Sequence, residues 1–244
     1  MYRSLKALDT EIAALQANTD VLVVDVMRNP GGDVCLAEDI LSRLTTKNFF
    51  GAWAETRVTW SDILDVNYDL ATAGDFGYTE EDVAQLKDMQ AEYQEAYQKN
   101  EGRTKPMPIC AAGGLRSPVA SAYTKPVLLL TDEMSASSAD IFAAMVQDNH
   151  IAPIFGYRTM GAGGSPEGDH PGVYSEGYTT LTRSLVVRAY PVVTPDFPTT
   201  GYIENVGVRA DIPADYMTAD NLLNRGDAFV KAFTAEAAKL ARPN

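Results

Sequence analysis

Lys125-Pro126-Val127-Leu128-Leu129-Leu130 runs directly into Thr131-Asp132-Glu133-Met134-Ser135-Ala136-Ser137-Ser138-Ala139-Asp140-Ile141-Phe142. The first half is a short apolar run opened by proline, the pattern of a strand buried on both faces. Ile141 and Phe142, with Met145 and Val146 just beyond, fall at helical spacing. A strand therefore ends, the chain turns through small residues, and a helix begins. The first N–H groups of that helix and its positive end favour negative charge nearby. A serine placed there can attack a carbonyl, because backbone donors stabilise the charge that develops on its oxygen. The competing reading is that Ser135, Ser137 and Ser138 cap the helix, since serine is a preferred cap.

A second strand-to-turn junction lies upstream. Val21-Leu22-Val23-Val24-Asp25-Val26 is mostly β-branched and predicts a buried strand. It enters Met27-Arg28-Asn29-Pro30-Gly31-Gly32, where proline fixes φ and two glycines open conformations closed to other residues. Helical spacing returns over residues 33–44. A Gly-Gly turn between strand and helix suits a phosphate cradle or an oxyanion hole. The phosphate reading lacks a Gly-Lys-Ser/Thr ending and a dinucleotide fingerprint.

The remaining segments alternate in kind. Leu5, Leu8, Ile12 and Leu15 stripe a helix over 4–16, and a strand is expected over 49–58. Residues 59–102 are polar and acidic, with Val83, Leu86, Met89, Tyr93 and Tyr97 at helical spacing. Thr79-Glu80-Glu81-Asp82 supplies a cap and an acidic first turn, so this segment reads as an inserted surface helix. Residues 102–123 read as a long loop, making 59–123 an insertion and loop within one domain of 1–244. A short strand at 152–155, a glycine-rich loop at 161–172, two strands within 179–193 and a helix from 218 to 240 complete the chain. Strands alternating with helices predict the α/β class.

Composition narrows the function. The 244 residues are 45% apolar, enough for a packed core, and carry a net charge of −13. That charge argues against nucleic-acid binding, which needs clustered Lys and Arg. Two cysteines, Cys35 and Cys110, and two histidines make a zinc site improbable on ligand count. No apolar run reaches membrane-spanning length, and no signal peptide is expected from the amphipathic N-terminus. No cofactor is called for, and oligomeric state is left open.

The turn blocks taken together resemble the tail-specific (C-terminal processing) serine peptidases and their tricorn-like and chlamydial-protease-like relatives. In that family the second serine of Ser-Ala-Ser is the nucleophile, which falls on Ser137. Asp25-Val26-Met27-Arg28-Asn29-Pro30-Gly31-Gly32 is similar to the family's Asp-Leu-Arg-x-Asn-Pro-Gly-Gly block, departing at Met27. The resemblance implies an oxyanion hole made by Gly31 or Gly32 together with Ser138. It also implies a crotonase-like core of stacked ββα units, a polypeptide substrate and, for many members, export.

The base divides the family. The tail-specific branch uses lysine in a Gly-Lys-Gly block, and here that position is Ala162. The tricorn and chlamydial branch uses a histidine oriented by the glutamate of a Glu-Asn-x-Gly-Val block. Glu204-Asn205-Val206-Gly207-Val208 matches it, so Glu204 is the expected orienting carboxylate. That branch carries its histidine upstream of the Gly-Gly block, and no histidine precedes His150. The expectation is therefore a C-terminal catalytic part whose base lies outside these residues. His150 is about thirteen residues from Ser137 along a helix, roughly 20 Å, and is out of reach. His170 sits in a loop where the family has no base. Asp148 is expected to be structural, bonding loop N–H groups. Two alternatives remain: a peptide-binding domain that has lost its base, and an acyl-thioester enzyme on the same fold.

Overall fold

The computed structural model describes residues 2–110, 114–169, 172 and 176–242. The observed class is mixed α/β, with helices packed around a parallel sheet and a second, antiparallel sheet. The parallel sheet has the order β1 (Leu22–Asp25), β6 (Val127–Thr131), β7 (Ile154–Gly156), β11 (Ile212–Pro213). Alternate residues of β6 enter different clusters. Val127 and Leu129 face a core with Ile12, Leu41, Phe142 and Ile154, while Leu128 and Leu130 face Phe155, Phe229 and Ala237. This is why the run is apolar at every position rather than at every second one.

Helices α1 (Tyr2–Asn18), α2 (Val34–Leu41) and α5 (Ser138–Asp148) contribute to the first of those cores. The predicted stripe on α1 holds: Leu5 and Ile12 are buried, and Leu8 and Leu15 pack against the core. The other core is covered by α7 (Asp227–Leu240), where Phe155, Phe229 and Phe233 stack edge to face. The helix expected over 218–240 is broken: α6 (Ala219–Leu223) stops, and Gly226 at φ +77 starts α7 on a new axis.

The antiparallel sheet runs β10 (Thr200–Tyr202), β9 (Thr179–Val192), β3 (Trp53–Thr56), β4 (Met107–Pro108), with β8 (Gly164–Asp169) also on β9. Val186 of β9 and Ile203 join the core around α5, so the helix after Ser137 is covered by both sheets.

Several expectations are corrected here. β1 is the edge of its sheet and half-buried, because its outer side carries no strand among the described residues. The strand expected over 49–58 is two, β2 (Phe49–Phe50) and β3, in different sheets. One 14-residue strand, β9, stands where two were expected. Half of the glycine-rich 161–172 loop is strand β8, paired along its length with β9. Residues 59–102 hold two helices where one was expected, α3 (Trp60–Thr72) and α4 (Glu80–Gln98). Each begins with a capping box, Thr59 with Asp62 and Thr79 with Asp82. The 102–123 segment is mostly loop but contributes β4 and β5 (Leu115–Arg116).

Cys35 and Cys110 are joined in a disulfide across 75 residues of sequence, a pairing that spacing alone left open. It ties the start of α2, just after the Gly-Gly turn, to the segment following β4. Closing a loop of this length restricts the unfolded chain, and reduction should lower the unfolding free energy by about 2–4 kcal/mol. Urea unfolding with and without reductant measures this; coincident midpoints would contradict it.

Candidate active site

The turn after β6 is built from the inside out. Ser135 is fully buried, and its hydroxyl donates to the Val26 carbonyl at 2.8 Å and lies 3.1 Å from Asp132 Oδ1. Asp132 in turn accepts the Arg28 and Met134 N–H groups at 2.9 and 3.0 Å. The Ala136 N–H donates to the Asn29 carbonyl at 2.9 Å. These bonds stitch the Ser-Ala-Ser turn to the Asn-Pro-Gly-Gly turn, two segments about a hundred residues apart in sequence. Parallel pairing of β1 with β6 delivers both turns to the same end of the sheet.

Ser137 then occupies the N-cap position of α5, at φ +54 and ψ −121, with no side-chain capping bond. A non-glycine residue at positive φ is held there by its surroundings, and such strain gathers at functional sites. The capping reading therefore does not describe Ser137. Its hydroxyl is uncommitted and lines a cavity of about 310 Å³ shared with Gly32, Ile141, Ala162 and Gly164.

The two glycines of the upstream turn differ in what they do. Gly31, at φ +96, lies against the Ser137 turn: a β-carbon there would fall 2.5 Å from Ser137 Cβ and 2.7 Å from the Ala136 carbonyl oxygen. Its N–H donates to Asn29 Oδ1 at 2.9 Å. The Gly32 N–H has no acceptor among the described residues, nor has the N–H of Ser138, the first residue of α5. Two unspent donors thus flank the uncommitted hydroxyl.

Gly31→Ala meets the clash and the positive φ together. We expect at least about 2 kcal/mol of destabilisation and a 10²- to 10³-fold loss of turnover in the full-length protein as the turns separate. Chemical unfolding alongside peptide hydrolysis checks it; an unaltered variant would show that the close approach is unimportant.

Glu204 lies in the turn after β10. A β-carbon on Gly164 would fall 3.1 Å from Glu204 Oε2, so the carboxylate borders the cavity wall that Gly164 shares with Ser137. No hydrogen bond or ion pair engages that carboxylate among the described residues. Its backbone is locked to the glycine-rich segment. The Asn205 N–H donates to the Gly161 carbonyl at 2.7 Å, Thr159 and Val208 exchange backbone and side-chain bonds, and Arg158 Nη1 donates to the Val206 carbonyl.

Asp140 is the site residue whose role sequence reasoning missed. It is fully buried in the first turn of α5 and accepts the Gly161 and Ala162 N–H groups at 2.9 and 3.0 Å. It thereby holds the glycine-rich segment against α5. The signal was an acidic residue three positions after Ser137, on the face of a helix that is otherwise apolar.

The candidate bases fall as follows. Ala162 lines the cavity with Ser137, so the position that holds lysine in the tail-specific branch faces the site and carries a methyl group. His150 lies beyond the far end of the 11-residue α5, roughly 16 Å along its axis. His170 lies outside the described residues. Among the residues lining the cavity, Tyr93 is the one titratable group, and burial pushes its phenol up. Asp148 pairs with Arg188 and accepts the Ala189 N–H at 3.1 Å, fastening the end of α5 to β9. No cluster of His, Cys, Asp or Glu among the described residues could hold a metal ion, and no helix there is long and apolar enough to cross a membrane.

The chain is similar to several known proteins. The family model for peptidase family S41 matches residues 2–214. A curated protein of Chlamydia pneumoniae is 29% identical over 237 residues, which is 89% of this chain and 37% of the relative. A relative from Chlamydia trachomatis is 28% identical over 88% of this chain and likewise 37% of its own length. Mature CPAF complexed with lactacystin superposes with a TM-score of 0.78 at 24% identity, covering 97% of this chain and 47% of that one. A putative peptidase from Parabacteroides merdae superposes with a TM-score of 0.60 at 17% identity, covering 96% of this chain and 56% of that one. This chain thus spans well under half the length of its curated relatives. Matched over all but its C-terminal helices, the chain belongs to peptidase family S41.

Proposed function

We propose that this chain is the nucleophile-bearing part of a serine endopeptidase that cleaves through an acyl-enzyme on Ser137. The observation that carries the reading is an uncommitted serine hydroxyl at positive φ, flanked by the unspent Gly32 and Ser138 N–H groups. Ser137 Oγ adds to the substrate carbonyl carbon, and its proton passes to a base. The carbonyl oxygen, now anionic, takes hydrogen bonds from Gly32 and Ser138. Collapse of the adduct expels the amine, which takes the proton back from the base. Water then adds by the same route, and the acid product leaves Ser137. Gly31 shapes the turn; its N–H is spent on Asn29.

The base in this reading is a histidine from outside these 244 residues, oriented by Glu204. Among the described residues the cavity offers no lysine or histidine, and the Glu204 carboxylate beside it is unpaired. The disulfide favours an oxidising compartment, in line with export. The test uses the full-length protein with an unfolded polypeptide: new peptide termini should appear, and prior modification of Ser137 should prevent them. Absence of cleavage by the full-length protein would overturn the reading in favour of a peptide-binding domain.

A further inference from the structure

The inserted helix α4 reaches the nucleophile's cavity. Gln85, Met89 and Tyr93, one helical turn apart in succession, all line it. Facing them are Met107 and Ile109 around β4, and Val186 of β9. No charged side chain lines the cavity among the described residues. Besides Gln85, Tyr93 and Ser137, its polar side chains are the uncharged hydroxyls of Thr56, Ser165 and Ser184.

α4 is fixed in this position. Gln85 Nε2 donates to the Pro108 and Ile109 carbonyls at 3.1 and 3.3 Å, joining the helix to the β4 wall. Tyr93 and Ala96 are buried against Val58 and Ile63, with Met89 packed on the same cluster. Cys110, the residue after Ile109, is covalently tied to Cys35 beside the Gly-Gly turn. The wall is thus linked through β4 to the turn that carries the proposed oxyanion donor.

We propose that the insertion is a specificity element, and that this cavity takes a large uncharged apolar side chain, of the leucine, methionine or phenylalanine class, from the substrate residue next to the scissile bond. This rests on the reading of Ser137 as nucleophile, and it deepens that reading by naming the substrate class. A charged side chain would leave water for a wall whose own lining offers it no counter-charge, the bordering Glu204 carboxylate being taken by the base in this reading. A small one would leave the space between α4 and β9 unfilled. At about 310 Å³ the cavity stands at the lower end of ligand pockets, which begin near 300 Å³. That suits one large side chain and its adjoining backbone.

The test is a binding measurement, so that it is independent of turnover. The full-length protein carrying Ser137→Ala is irradiated with short peptides bearing a diazirine analogue of leucine, and the adducts are mapped by mass spectrometry. Adducts should concentrate at Met89, Tyr93 and Met107. Replacing the anchor by alanine should weaken peptide binding at least about 10-fold, and by aspartate or lysine further. In the Met89→Lys background the leucine peptide should lose that advantage while an aspartate peptide gains. If the Met89 variant fails to fold, the anchor series on the Ser137→Ala protein decides alone. Adducts away from α4, or equal affinity for leucine, alanine and charged anchors, would overturn the proposal. Leucine-selective binding at α4 in a protein that never cleaves peptides would leave this inference standing and refute the nucleophile.

Discussion

Ser137→Ala should lower kcat of the full-length protein on a peptide substrate by on the order of 10⁶-fold, with the fold retained. The fold should survive because the Ser137 hydroxyl makes no capping bond, so its removal leaves no buried partner unsatisfied. Alanine tolerates the φ of +54 no better and no worse than serine does. The turn is held by neighbours instead: Ser135 on Val26, Ala136 on Asn29, Asp132 on Arg28. Circular dichroism and unfolding midpoint should match the parent while hydrolysis disappears. Turnover within tenfold of the parent would mean that the hydroxyl is a bystander.

Glu204→Gln is expected to have the second largest effect, a loss of about 10⁴-fold in kcat with KM little changed. In the proposed mechanism an amide cannot stabilise the imidazolium that would form as Ser137 gives up its proton, and it can favour the wrong tautomer of the base. Stability should be almost unaffected, since the carboxylate engages no protein partner among the described residues. The position of Glu204 is set by backbone bonds at Asn205 and Val208, which glutamine leaves in place. Single-turnover kinetics separates the chemical step from binding. A variant within threefold of the parent would show that the base is oriented by some other group.

The core of this site was legible in the sequence because its signals are local. An unbroken apolar run followed by small residues and helical spacing can hardly be other than a buried strand, a turn and a helix. The Asn-Pro-Gly-Gly turn was equally plain, but which glycine does what depended on contacts across a hundred residues. Gly31 is spent on touching Ser137 and bonding Asn29, and no periodicity encodes that. Edge and centre strands escaped for the same reason: the compositions of β1 and β6 look alike, and only pairing distinguishes them. The glycine-rich segment read as loop, yet β8 forms because β9 offers it a long partner. Cys35 and Cys110 meet across 75 residues of chain, a path that sequence cannot trace. Residues 59–102 read as a solvated helix, and Met89 and Tyr93 became cavity wall only once α4 lay against β4.

The most direct test is labelling of the full-length protein with a serine-directed fluorophosphonate, followed by peptide mapping. The account predicts a single adduct on Ser137, abolished by Ser137→Ala and slowed by Glu204→Gln. An adduct on Ser135 or Ser138 instead, or none on a protein that nonetheless cleaves peptides, would contradict it.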